Sequence, residues 1–208
     1  MTKKYDAHHI CCYHVAMSTA PSRREITHER IVDVAARALR RDGFAGVGVA
    51  DVMKQAGLTH GGFYAHFESR EALLAEAVER AGRESGGRMR ERIDACVARG
   101  ESGLRAVIEN YLSEAHLTGT ESGCVVAALS SEMPRQSGAV AAPAVDRVRK
   151  LIALVQHAMP EGSKEQAMVI ASTLVGTLQL ARALGANAQG KALLAASRAA
   201  LISQYVTE

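Results

Sequence analysis

The stretch VADVMKQAGLTHGGFYAHFESREALL, Val49 to Leu74, holds two short apolar-periodic segments parted by a glycine. Residues 49–55 fit one short helix and residues 59–66 another, leaving only Ala56, Gly57 and Leu58 between them. Helices joined so tightly must cross at a steep angle, and the bend needs a residue that takes φ above zero without a Cβ penalty; Gly57 meets that need. Val52, Ala56, Leu58 and Phe63 then share the side under the crossing. Thr59, His60, Gly61, Gly62, Tyr64 and His66 are left on faces that can meet a DNA major groove or its phosphate walls. The spacing predicts a helix-turn-helix over about residues 48–67.

Toward the N-terminus, Ile31, Val34, Ala35, Ala38 and Leu39 recur at the three-and-four spacing of a helix, with Thr27 as its cap and Gly43 as its stop after Arg40 and Arg41. Residues 1–22 lack periodicity and end in a small, polar run, which predicts a flexible arm. Toward the C-terminus, Ser69 caps a long helix through Ala72, Leu73, Ala77 and Val78 towards Ile93. Further helices are expected over residues 103–117, 125–133, 139–158, 164–184 and 191–206, parted by Gly or Pro. The only β flavour lies in residues 44–52, where glycines at 46 and 48 favour a turn. The expected fold is therefore all-α. It comprises the arm 1–22, a three-helix DNA-binding domain over 23–80, and a long helix leading into an all-helical regulatory domain over 81–208.

Charge follows that division. The net charge is +3, and the first 70 residues hold ten Lys/Arg against seven Asp/Glu, whereas the rest of the chain is balanced. A basic front on a neutral body suits contact with a polyanion, though the excess is small. Four cysteines occur, Cys11 and Cys12 adjacent and Cys96 and Cys124 isolated, which indicates neither a disulfide framework nor a zinc site and makes a reducing cytoplasm the default. His8, His9, Cys11, Cys12 and His14 are metal-binding residue types, but an unanchored segment rarely builds a specific site, so neither a metal nor a cofactor is expected. The first 20 residues lack the apolar core of a signal peptide. Residues 166–181 are free of charge but shorter than the roughly 20 that span a bilayer, so a buried helix is expected there and no membrane partner. Enzyme signatures such as CxxC, HExxH, a phosphate loop or a nucleophile elbow are missing from the sequence, and no catalytic activity is expected.

Ala56-Gly57-Leu58-Thr59, Gly61, Phe63-Tyr64, His66-Phe67 and the run from Ser69 to Leu74 together resemble the signature of TetR-family transcriptional regulators, over about residues 24–80. The resemblance implies that Thr59 starts the recognition helix beside phosphate and that Tyr64 and His66 contact backbone or base edges. It also implies that Arg70, where the family usually carries Lys, neutralises a phosphate, with the charge kept but the geometry changed. Val47 and Gly48 stand where the family usually caps the second helix with Thr or Ser, and Met53 where a smaller Ala is common; a slightly looser start to that helix is expected, since Gly still caps acceptably. Gly61 and Gly62 offer no side chain to read bases, so Thr59, His60, Tyr64 and residues of the arm or first helix carry what recognition there is, with phosphate contact and DNA shape supplying much of the binding. Arg23 and Arg24 fit either minor-groove and phosphate contacts or a solvated tail. Packing within the module is the competing reading of Tyr64 and His66.

In the C-terminal half, residues 166–184 are apolar around most of the helix circumference, and residues 191–206 carry Leu193, Leu194, Leu201 and Ile202 on one stripe. Such helices need cover on more than one side, from a partner chain or from the protomer's own core. The resemblance implies a homodimer through a four-helix interface, with Ala171, Gly176 and Ala181 permitting close approach. The run from Gly123 to Leu129 is similar to a Gly-Cys helix opening beside the ligand chamber in a subset of the family. Tyr111, His116, Cys124, Leu129 and Met133 are thus candidates to line a mostly apolar pocket for an unidentified small molecule, with plain packing as the alternative for each. Cys124 at a helix start is also a candidate thiol sensor, against the reading of a small buried hydrophobe. The expected function is a dimeric repressor released from double-stranded operator DNA by a small apolar or electrophilic effector. The alternatives are a ligand-independent activator or architectural DNA-binding factor, and a redox sensor acting through Cys124.

Overall fold

The computed structural model describes residues 21–136, 138–159 and 161–206, and these contain helices and turns with no strand. The histidine and cysteine cluster between His8 and His14 lies outside the described residues, as does most of the expected arm. The first helix, α1 (Arg23–Gly46), starts four residues earlier than the expected Thr27 cap. Ser22 is the cap: its hydroxyl accepts from the Glu25 amide at 3.2 Å while the Glu25 carboxylate takes the Ser22 amide at 2.6 Å, a reciprocal capping box. Arg23 and Arg24 therefore sit on the first turn of a helix and not in a tail. Near its end α1 kinks at Gly43, whose φ of 75° lies in the left-handed region.

α2 (Val49–Gln55) starts at Gly48 with no side-chain cap, as expected. It ends in a Schellman turn: the Gly57 amide donates to the Lys54 carbonyl at 3.0 Å and the Leu58 amide to Met53 at 2.9 Å. Gly57 takes φ 72°, and a Cβ there would meet nothing within 4 Å, so its requirement is conformational and not spatial. His60–Ala65 follows as a 3-10 segment starting at Thr59. Two consecutive glycines in so short a run weaken α-helix formation, which accounts for the tighter, shorter element.

α3 (Arg70–Ala98), capped by Ser69, is the long connecting helix. The expected helix over 103–117 is broken in two, α4 (Gly103–Tyr111) and α5 (Glu114–Thr118), because Tyr111 and Leu112 turn into the core and the Ser113 hydroxyl caps a new helix on the His116 amide at 3.1 Å. α6 (Val125–Leu129) is shorter than expected, since Pro134 cannot donate to a continuing helix and clashes with the preceding turn. α7 (Ala141–His157), α8 (Lys164–Leu184) and α9 (Ala188–Tyr205) complete the chain.

Two apolar clusters hold these helices together. One joins α1, α2, Phe63, Phe67 and the first half of α3 to Val125, Val126, Leu129 and Met133. The other gathers Met89 and Ile93 of α3 with α4, α7, α8 and α9. Residue 80 thus falls inside α3, and the core beneath the DNA-binding module extends across it into α6. The α9 stripe of Leu194 and Leu201 is buried within the protomer, as are Ala171 and Ala181 of α8, so these residues do not form the outer face expected of them. The outer face of α8 instead carries Met168, Val169, Leu180 and Leu184, all exposed, around Gly176, beside which a Cβ would find open space. By length and composition alone α8 would also cross a bilayer, but its other face is packed into the protomer core.

Candidate nucleic-acid interface and cavity

The 3-10 segment lies on a floor of rings. Phe63 is 1% exposed and stacks on Phe67 at 5.5 Å, and the Tyr64 ring meets Phe63 edge-on at 5.3 Å. Tyr64 itself is 72% exposed, which is far from the packing role its alternative reading required. Thr59 and His60 are exposed beside it, Gly61 leaves open space above the backbone, and Gly62 is half-buried over Met53. The Thr59 hydroxyl is not spent on capping. These residues form an exposed surface with hydroxyl and imidazole groups over a buried apolar base.

Three expected contact residues have tasks inside the module. Arg24 donates to the Ala65 carbonyl at 2.8 Å and so ties the first turn of α1 to the end of the 3-10 segment. His66 is half-buried: its Nδ1 is sealed without a partner, its ring tilts against His28 at 6.0 Å, and burial lowers its pKa, helped by His28 and Arg24. Arg70 does not stand free for phosphate. Its Nε donates to the Val47 carbonyl at 3.0 Å and a terminal nitrogen to the Phe44 carbonyl, so the guanidinium braces the α1–α2 corner. A lysine ammonium cannot span two carbonyls in this forked way, which gives the Arg a local reason. Arg23 is exposed and makes no ion pair among the described residues.

The same corner is held from the C-terminal half. The kink at Gly43 frees the Phe44 amide, and the Glu132 carboxylate accepts it at 3.0 Å. A side chain at Gly43 would strike that carboxylate. Phe44 is thus fixed at its N–H by Glu132 and at its C=O by Arg70. Sequence reasoning missed Glu132, and with the partners 88 positions apart no local signal marks it.

At the other end of α6 lies a cavity of about 590 Å³ between α3, α4, α5 and α7. Tyr111, His116 and Cys124 line it. Leu129 and Met133 do not: they are 0% and 8% exposed and belong to the core beneath the DNA-binding module, because α6 turns that face towards α1. The sequence reading also missed Arg88, Asn110 and Arg147 on the wall. Arg88 and Arg92 recur at helical spacing and were legible in principle, but the balanced charge of the C-terminal half concealed the local excess.

His116 organises one wall. Its Nε2 accepts the Cys124 amide at 3.0 Å, which requires the proton on Nδ1, and Nδ1 donates to the Tyr111 carbonyl at 2.8 Å. The ring is neutral: burial depresses its pKa to about 4 against the opposing pull of the Tyr111 carbonyl, with Arg182 lowering it further. Arg182 of α8 donates to the His116 carbonyl at 2.8 Å. The Tyr111 hydroxyl is buried without a hydrogen-bond partner, and burial together with the neighbouring Cys124 pushes its pKa up. Cys124 is a half-buried free thiol at the start of a helix of only five residues, a much shorter dipole than the sequence implied.

Comparison with known proteins accords with this geometry. Residues 31–77 match the family model described as bacterial regulatory proteins, tetR family. The chain is 31% identical over 169 residues to an HTH-type transcriptional regulator of Mycobacterium tuberculosis, covering 74% of this chain and 83% of that one. It is 26% identical over 167 residues to the HTH-type transcriptional repressor NemR of Escherichia coli, covering 79% and 84%. The solved structure of E. coli NemR in its reduced form superposes with a TM-score of 0.70 at 23% identity, covering 86% of this chain and 96% of that one, a likeness of fold. A helix-turn-helix with an exposed second element, a long connecting helix that walls a cavity, and a relative matched along most of its length lead to one conclusion: this chain belongs to the TetR family of DNA-binding transcriptional regulators.

Proposed function

We propose that the protein is a homodimeric repressor that binds operator DNA through residues 59–66 and leaves it when a small effector fills the cavity. The observation that carries this reading is α6. Its start, Cys124 to Val126, walls the cavity, and the turn after its end supplies Glu132 to the Phe44 amide at the corner that supports α2 and the 3-10 segment. A molecule that displaces α6 must disturb that corner, so cavity and DNA face share one structural lever.

Thr59, His60 and Tyr64 meet the duplex, and Arg23 adds phosphate contact. Pairing of the exposed α8 faces through Val169, Leu180 and Leu184 sets two recognition segments one DNA turn apart, roughly 34–36 Å. The effector is apolar or electrophilic in part, in keeping with Val107, Leu151 and Leu154 on one wall and the Cys124 thiol on another. Release requires the effector to bind the DNA-incompetent arrangement more tightly, with a coupling of about 1–3 kcal/mol. The protein acts in the cytoplasm, where its operator is.

Footprinting the full chain on DNA upstream of its own gene, with affinity measured between about 50 and 200 mM salt, tests the reading. The expected result is a twofold-symmetric footprint whose affinity falls steeply with salt. A salt-independent affinity, or an asymmetric footprint of one half-site, overturns it.

A further inference from the structure

The wall of the cavity carries Arg83, Arg88, Arg90, Arg92, Arg147 and Lys150, and no Asp or Glu lines it. Only some of this charge is balanced nearby. Arg147 and Lys150 share the single carboxylate of Asp146, and Arg83 reaches Glu79 at 3.4 Å. Arg88 is spent on the neutral Ser122 carbonyl at 2.6 Å, and Arg90 and Arg92 make no ion pair among the described residues. His116 is neutral and adds nothing to the sum. A half-open site with five exposed cations at its rim, one buried arginine and no anion on its wall has a positive potential, screened by solvent at the rim and least screened at Arg147.

Two deep groups point the same way. Arg147 is 6% exposed with its Nε unpartnered, and Tyr111 is 2% exposed with its hydroxyl unpartnered; both line the cavity. Buried donors in native proteins are nearly always satisfied, so two orphans on residues of one cavity wall, both sealed from solvent in the free protein, are donors that an acceptor in the cavity would satisfy once the side chains turn towards it. Arg147 is held there by shape, since its aliphatic stem lies over Gly82 of α3, where any Cβ would collide with it. Val107, Val126 and Leu154 supply an apolar wall, and the volume of about 590 Å³ is that of a small-molecule site.

We propose that the cavity takes an amphiphilic oxyanion, a carboxylate or phosphate monoester on a short hydrocarbon body. Its head accepts from Arg147, the Tyr111 hydroxyl and Arg88, and its body lies against Val107, Val126 and Leu154. The inference rests on the effector reading above and narrows its chemistry. Engagement of Arg88 also draws that side chain off Ser122, in the turn next to Glu121, which pairs with Arg41 of α1 at 2.6 Å.

The test is calorimetric titration of the full chain with octanoate, octyl phosphate, octanol and octylammonium. Octanoate or octyl phosphate is expected to bind at least tenfold more tightly than the neutral and cationic probes, and at least tenfold more tightly than inorganic phosphate. Arg147→Met and Tyr111→Phe are each expected to weaken the anion about tenfold. Tyr111→Phe is also expected to keep or raise the Tm of the free protein, because it removes a buried, unsatisfied hydroxyl. Arg88→Gln, at an exposed position, carries the charge test if Arg147→Met folds poorly. Octanol binding as tightly as octanoate, no binding of either anion, or anion affinity unchanged by Tyr111→Phe and the arginine variants overturns the inference. Operator release is read separately. Anion binding without release leaves the ligand class standing and overturns the effector role, whereas release by octanol alone does the reverse.

Discussion

His116 makes the stability of this protein depend on pH over a defined window. Its pKa is about 4 in the folded chain, against an ordinary value of 6.5, because the ring is buried and its Nε2 must stay unprotonated to accept the Cys124 amide. Above pH 6.5 the imidazole is neutral in both states and the stability is fully present. As pH falls from 6.5 towards 4 the unfolded chain binds a proton that the folded chain refuses, so stability falls, by about 1.4 kcal/mol per pH unit inside the window. The loss reaches about 2 kcal/mol at pH 5. Urea unfolding from pH 7.5 to 4.5 at one fixed protomer concentration measures it, with His116→Asn as the reference, since other histidines and carboxylates titrate over the same range. Asn retains a donor for the Tyr111 carbonyl but leaves the Cys124 amide unpaired and binds no proton. At pH 7 the variant is expected to be less stable by about 1–2 kcal/mol, the cost of an orphaned buried donor. The gap should then close as the pH falls, because only the wild type loses stability to this group. A gap that stays constant from pH 7 to pH 5 refutes the reasoning, and with it the neutral bridge between α5 and α6.

Gly57→Ala is expected to destabilise the protein by roughly 1–2 kcal/mol in chemical denaturation, the cost of φ 72° for an L side chain with no clash added; an unchanged midpoint would contradict the turn geometry. Tyr64→Ala should leave stability within about 0.5 kcal/mol, since the ring is exposed, while lowering operator affinity at least tenfold in a gel-shift titration. A large loss of stability with affinity intact would assign Tyr64 to packing. Glu132→Gln should speed hydrogen exchange of the Phe44 amide and cost about 1–2 kcal/mol, because a charge-assisted bond becomes a neutral one. Leu180→Glu should convert the protein to a monomer in sedimentation with its helical content intact, and a dimer that persists would move the interface off the exposed α8 face.

Much of this architecture was legible in the chain. Gly57, the spacing of Val52, Ala56, Leu58 and Phe63, and the Ser69 cap specify helix, turn and helix by local rules, so α2, the bend and the start of α3 match what the sequence predicts, whereas the second element is a 3-10 segment in place of the expected helix. The Ser22 to Glu25 capping box is equally local, but the apolar repeat starts only at Ile31, so the periodicity points to the later Thr27. Periodicity located the later helices but not their outward faces. Leu194, Leu201, Ala171 and Ala181 could cover a partner or a core with the same spacing, and only packing shows that they face inward.

The sequence by itself determined the all-α class, the helix-turn-helix and the exposure of Thr59, His60, Gly61 and Tyr64 on its second element, though not the half-burial of Gly62 and His66, because caps, φ preferences and 3.6-residue periodicity act over a few neighbouring positions. Tertiary structure alone decided what depends on distant partners. It set Arg70 and Glu132 on either side of Phe44, turned Leu129 and Met133 away from the cavity, and gathered arginines from α3 and α7 on a wall without a carboxylate. Those outcomes follow from how the helices cross, and no spacing within one helix encodes the crossing.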